Sequence, residues 1–198
     1  LKAEIDRRSG FCFGVVKAVQ KAESLLEEGR EVYCVGEIVH NDVEVQRLQK
    51  KGLITIDPDQ IGTLTDKNIL FRAHGEPPDS YERVRKNNNR LMDATCPIVL
   101  KLQRDVRQAW KEGKNVFLFG KHHHPEVKGL LGQTGGQATV FQSLEELRVT
   151  QLPESLVLFS QTTMSPDQFH QAARFLKDQG IEVDMRDTIC RQVSDRDK

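Results

Sequence analysis

A chain of 198 residues has room for one large domain or two of roughly 100 residues each, and its 29 basic and 29 acidic residues cancel. No long block of like charge offers an electrostatic footprint for nucleic acid or an anionic membrane. The longest apolar runs, such as V-F-L-F at 116–119, are too short to cross a bilayer, and L-K-A-E-I-D lacks the segments of a secretory signal, so a cytoplasmic protein is expected.

Helix-like and strand-like patterns alternate from the start. Val15, Val16, Ala18, Val19, Ala22, Leu25 and Leu26 recur at helical spacing, and Gly29 stands where that helix would end. E-V-Y-C-V-G reads as a short buried strand, D-V-E-V-Q-R-L-Q-K-K as a helix stopped by Gly52, and L-I-T-I as a second strand. N-I-L-F-R-A-H-G is a strand running into a turn. This rhythm predicts an α/β fold of repeated parallel-sheet βα modules.

The second half repeats the first. E-G-R-E-V-Y-C-V-G-E-I-V-H-N-D-V, from Glu28, aligns with E-G-K-N-V-F-L-F-G-K-H-H-H-P-E-V, from Glu112, at an offset of 84 positions. The same offset pairs Gly36 with Gly120, His40 with His124, Asp42 with Glu126, and Cys12 with Cys96. I-L-F-R-A-H from Ile69 faces V-L-F-S-Q-T from Val157 at 88, and Cys190 follows Cys96 by 94, as small loop insertions would produce. Cys12, Cys96 and Cys190 each open a C-x-x-V pattern. The expected modules are therefore residues 1–95 and 96–189, with a third begun at 190–198; its nine residues suggest a fragment of a longer protein.

Four cysteines, at 12, 34, 96 and 190, are too few and too dispersed for a disulfide framework. Each repeat cysteine precedes a helical pattern, and Pro97 after Cys96 suits the first helical position. A thiol there feels the positive end of the helix dipole, which favours the thiolate. Three such thiols on a common axis suit a soft metal: a four-iron cluster with one iron free of protein ligand, or a zinc ion with a water. Against both stands the ordinary fate of a free cysteine, burial as a small hydrophobe. Cys34, inside a strand and matched by Leu118, is read that way.

His40, His74 and His124 each fall just past a short apolar strand, at the edge where parallel α/β sheets bind ligands. Thr162 is the repeat partner of His74. Imidazoles and a hydroxyl converging there would suit a phosphate group. His122 and His123 face Ile38 and Val39 in the first repeat and are read as bystanders. Glu126 either caps the helix that follows it or, beside His124, donates a proton. Three functions stay open on these residues: a cluster enzyme, a zinc-dependent hydrolase with Glu126 as base, and a noncatalytic binding protein built from the same repeats.

The ordered set G-F-C-F-G-V, V-H-N, R-A-H-G, D-A-T-C-P, H-P-E-V, Q-T-T and D-T-I-C resembles the 4-hydroxy-3-methylbut-2-enyl diphosphate reductase family. The resemblance implies an oxidoreductase of isoprene biosynthesis, with three α/β modules around a central [4Fe-4S] cluster held by Cys12, Cys96 and Cys190. It implies that His40 and His74 contact the substrate diphosphate and that His124 lies beside them, linked to proton delivery. Glu126 becomes the proton donor to the leaving hydroxyl, with Thr162 near that hydroxyl. The reaction implied is reductive dehydration to isopentenyl or dimethylallyl diphosphate, the last step of the non-mevalonate isoprenoid pathway, with electrons from a ferredoxin, flavodoxin or similar donor. Family members also carry a Ser-x-Asn element and a further serine that hold the diphosphate; neither follows Lys198 in this sequence.

Overall fold

The computed structural model of the protein describes residues 10–194; the opening L-K-A-E-I-D and residues 195–198 of the expected third module lie outside them. The first half runs α1 (Phe13–Glu27), β1 (Val32–Val35), α2 (Asp42–Lys50), β2 (Leu53–Ile56), a 3₁₀ turn (Pro58–Thr63), β3 (Asn68–Phe71), α3 (Pro78–Lys86) and β4 (Arg90–Asp93). Its four strands are parallel in the order β2-β1-β3-β4.

The second half runs α4 (Pro97–Lys111), β5 (Val116–Phe119), α5 (Pro125–Gly132), β6 (Thr139–Phe141), α6 (Leu144–Val149), β7 (Ser155–Ser160), α7 (Pro166–Asp178) and β8 (Glu182–Met185). A single turn, α8 (Arg191–Ser194), closes the described chain. Its sheet, β6-β5-β7-β8, is again parallel and has the same topology. β1 and β5 begin 84 residues apart, as do α1 and α4, which are both 15 residues long. The repeat in sequence is thus a repeat in topology, as the α/β reading expects.

Both faces of each sheet are covered, which explains why the inner strands read as nearly continuous apolar runs. Along β5, Val116 and Leu118 join α4 and α5 in one core, while Phe117 and Phe119 join α6 and α7 in another. Phe169 of α7 is fully buried and stacks on Phe119, with ring centroids 6.2 Å apart. Replacing it with alanine is expected to cost about 3–5 kcal/mol of stability, read from the urea midpoint. A change below about 1 kcal/mol would mean that the core closes over the lost ring.

Strand order reverses between β1 and β3 and between β5 and β7. At such a point the chains leaving neighbouring strands turn opposite ways and open a crevice at the carboxyl edge. His40 follows β1, His74 follows β3, His124 follows β5 and Thr162 follows β7. The four residues singled out at strand ends therefore all leave the inner strands.

Candidate active site

Two backbone hydrogen bonds fix the cysteines to those strand ends. Cys96, the N-cap of α4, donates its N–H to Ala73 O at 3.0 Å, and Cys190 donates its N–H to Thr162 O at 2.8 Å. Cys12 is the N-cap of α1. All three are free thiols, and all three line one cavity of about 90 Å³ together with Gly14, His74, Glu126 and Thr162. Gly14 is needed there: a Cβ would meet Cys96 Sγ at 2.8 Å and Cys12 Sγ at 3.9 Å. Its lack of a side chain lets the two sulfurs share that space.

The thiol electrostatics differ from the sequence expectation of a helix-favoured thiolate. Burial raises the Cys96 pKa more than the Ile98 and Val99 amides lower it, and the Cys12 and Cys190 sulfurs add repulsion. Neither Cys12 nor Cys96 closes a side-chain capping bond. The helix terminus acts as expected and is outweighed. A bound cation reverses that balance by releasing the thiol protons, so three thiols clustered at one cavity form a donor set fit for a soft metal centre. Cys34 is buried within β1, where burial pushes its thiol up to about 12, and it behaves as the small hydrophobe its position suggested.

Beside the thiols, the rings of His40, His74 and His124 form a triangle with centroids 5.0, 5.8 and 5.3 Å apart. Burial first, then neighbouring positive charge, lowers His74 to about 3 and His124 to about 4, so both are neutral near pH 7. His124 Nδ1 accepts the Glu126 N–H at 3.2 Å as the N-cap of α5, which leaves its proton on Nε2. His74 Nδ1 is buried with no partner. One nitrogen from each ring lies within 4.8 Å of the others, a spacing that could admit a metal ion. The His124 tautomer argues otherwise: Nε2 is a donor and Nδ1 is already engaged, an arrangement suited to an anion.

Glu126 is 2% exposed, and burial raises its carboxyl to about 7. Of the two sequence readings, the capping one fails, because His124 caps α5 and the Glu126 side chain reaches across to β7 instead. Thr162 donates its N–H to Glu126 Oε1 and its hydroxyl to Oε2, each at 2.7 Å. The result is a carboxyl near neutrality at the rim of the thiol cavity, an arrangement fit for proton transfer. His122 instead pairs with Glu146 at 2.8 Å on the surface.

Every residue singled out in the sequence as a ligand or acid–base candidate therefore gathers at one place. Two buried charged neighbours, Arg72 and Glu76, were passed over. The signal was present, since R-A-H-G interrupts an apolar strand with an arginine, but a strand-to-turn reading absorbs it. Gln161 was passed over too; it is buried, and its Oε1 accepts the Lys121 N–H at 3.0 Å while its Nε2 donates to Thr163 Oγ1 at 2.8 Å.

A duplicated α/β scaffold that gathers three thiols, a near-neutral carboxyl and neutral imidazoles at its strand ends defines a class of protein with a three-cysteine centre. Comparison with known proteins makes this particular: a family described as LytB protein matches residues 4–198. The chain belongs to that family. A relative from Bacteroides thetaiotaomicron, named 4-hydroxy-3-methylbut-2-enyl diphosphate reductase, is 48% identical over 99% of this chain and 70% of its own length. One of the same name from Porphyromonas gingivalis is 46% identical over 98% of this chain, and again 70% of the relative is covered. A solved structure of (E)-4-hydroxy-3-methyl-but-2-enyl diphosphate reductase, described as the terminal enzyme of the non-mevalonate pathway, superposes with a TM-score of 0.82 at 34% identity. That match covers 94% of this chain and 67% of the other.

Proposed function

We propose that this chain is an oxidoreductase that reductively dehydrates 4-hydroxy-3-methylbut-2-enyl diphosphate to isopentenyl and dimethylallyl diphosphate. The observation that carries the reading is the shared cavity: Cys12, Cys96 and Cys190 line it with Glu126 and Thr162, and the imidazole triangle adjoins it. Family membership and the names of the relatives support the substrate. The proposed units are residues 1–95 and 96–189, with residues 190–198 supplying the third thiol.

Cys12, Cys96 and Cys190 would hold a [4Fe-4S] cluster, which when bound supplies single electrons at low potential. His40, His74 and His124 bind the diphosphate through ring N–H donors, and the buried site strengthens those bonds. Glu126, protonated, delivers its proton to the substrate hydroxyl, which leaves as water; Thr162 keeps the carboxyl aimed. Two electrons and two protons enter: one proton leaves with the hydroxyl oxygen as water, the other ends on the allylic carbon frame. The electrons come from a small redox protein of the ferredoxin or flavodoxin kind. A cytoplasmic location is part of the reading, and no helix among the described residues is long and apolar enough to cross a membrane.

The test is anaerobic reconstitution with iron and sulfide, then turnover with a reduced dye and mass analysis of the products. The expected result is a brown protein that forms both five-carbon diphosphates. A colourless protein that retains stoichiometric zinc and only hydrolyses its substrate would replace this reading with a zinc hydrolase.

A further inference from the structure

Arg72 places a charge at the end of an otherwise apolar strand. It is 7% exposed, its Nη1 donates to Glu37 O at 2.7 Å, and its buried Nε has no partner. No carboxylate forms an ion pair with it among the described residues. Its guanidinium packs against Gly36, where a Cβ would meet Cζ at 2.6 Å and where φ is +70°. Gly36 opens the loop that ends at His40, and Arg72 stands two residues before His74. One guanidinium thus touches the segments that carry two of the three imidazoles.

We propose that Arg72 is a positioning residue for the diphosphate: it ties the Gly36–His40 loop to the turn after β3 and supplies a fixed positive charge behind the imidazole triangle. This rests on the reading of the triangle as a diphosphate site. The neutral rings of His74 and His124 can donate hydrogen bonds but carry no counter-charge for an anion. Burial lowers the Arg72 pKa, yet a guanidinium stays charged near neutrality, and a buried charge is weakly screened. Its field already reaches the triangle, where it helps to depress both His74 and His124. Glu76, raised to about 7 by burial, is the acid that opposes it most.

The probe is inorganic pyrophosphate, titrated into the whole chain by calorimetry and by the ring signals of the histidines in NMR. Wild-type binding should move the His40 and His74 signals; no binding would overturn the diphosphate reading, and this inference with it. Given binding, Arg72→Met is expected to weaken it at least about tenfold, the scale of one charged hydrogen-bond and field contribution, with Arg72→Lys restoring part of the loss. Unweakened binding in Arg72→Met, or equal weakening in Met and Lys variants, would overturn the proposal while the diphosphate reading stands. If Arg72→Met does not fold, Gly36→Ala, which displaces the guanidinium and keeps its charge, should weaken pyrophosphate binding and move the free His40 signal. Unchanged binding there would overturn it equally.

Discussion

Glu126→Gln is expected to lower turnover by about 10²–10⁴-fold while leaving iron content and visible spectrum unchanged, because general acid catalysis is worth that much. The amide keeps an acceptor for the Thr162 N–H, so the link between α5 and β7 survives. What disappears is the transferable proton. The wild-type pH profile should report the same group: with a carboxyl near 7, turnover falls as pH rises above that value. A variant with full activity, or a profile flat from pH 6 to 9, would remove Glu126 from the chemistry.

The same shift has a thermodynamic side with a definite sign. The folded pKa, about 7, lies above the ordinary 4.5, so the native state holds a proton that the unfolded chain releases between those values. The stabilisation is complete below the unfolded pKa and is lost as pH rises through the folded one. Glu126→Gln should therefore gain on wild type by about 3 kcal/mol between pH 4.5 and 7.5, read from urea midpoints of the cluster-free chains. His74 and His124 are shifted downward and act oppositely: their neutral forms favour folding, and that contribution fades as pH falls below the ordinary 6.5 toward about 3 for His74 and about 4 for His124.

Cys96→Ser is expected to abolish both cluster retention and turnover. Serine is a good helix N-cap, so α4 should persist and far-ultraviolet dichroism should be unchanged. The hydroxyl is a far poorer ligand for a soft metal than a thiolate. Cys34→Ala provides the comparison: it removes a thiol buried within β1 and should leave iron content intact. Iron retained at wild-type level in Cys96→Ser, or lost equally in Cys34→Ala, would contradict the assignment of ligands.

Much of the architecture was legible because periodicity and repetition agreed. The offset of 84, shared by glycines, histidines, acids and cysteines, predicted equivalent strands, and β1 and β5 occupy equivalent places in their sheets. β6 and α6 carried weaker signals: three residues of strand and six of helix are too short to show a period. At the site, residue identities and their convergence could be read, but their protonation states could not. Whether Glu126 caps a helix or faces Thr162 depends on how α5 meets β7, a tertiary fact. The Cys96 balance likewise depends on burial, which no local motif encodes. Arg72 was hidden because N-I-L-F-R-A-H-G reads simply as a strand running into a turn, and nothing local shows that the guanidinium is buried.

The paired sheets also carry a record of divergence. Asp42 and Glu126 are paired by the offset of 84, yet Asp42 sits exposed on α2 while Glu126 is sealed beneath Thr162. Likewise His74 leaves β3 where Thr162 leaves β7. Equivalent edges of the two sheets thus carry different groups: both contribute rings to the imidazole triangle, and the second alone contributes the buried carboxyl. Each half then serves as a living control for the other, since exchanging Asp42 and Glu126 environments separates what a position confers from what its neighbours have since added.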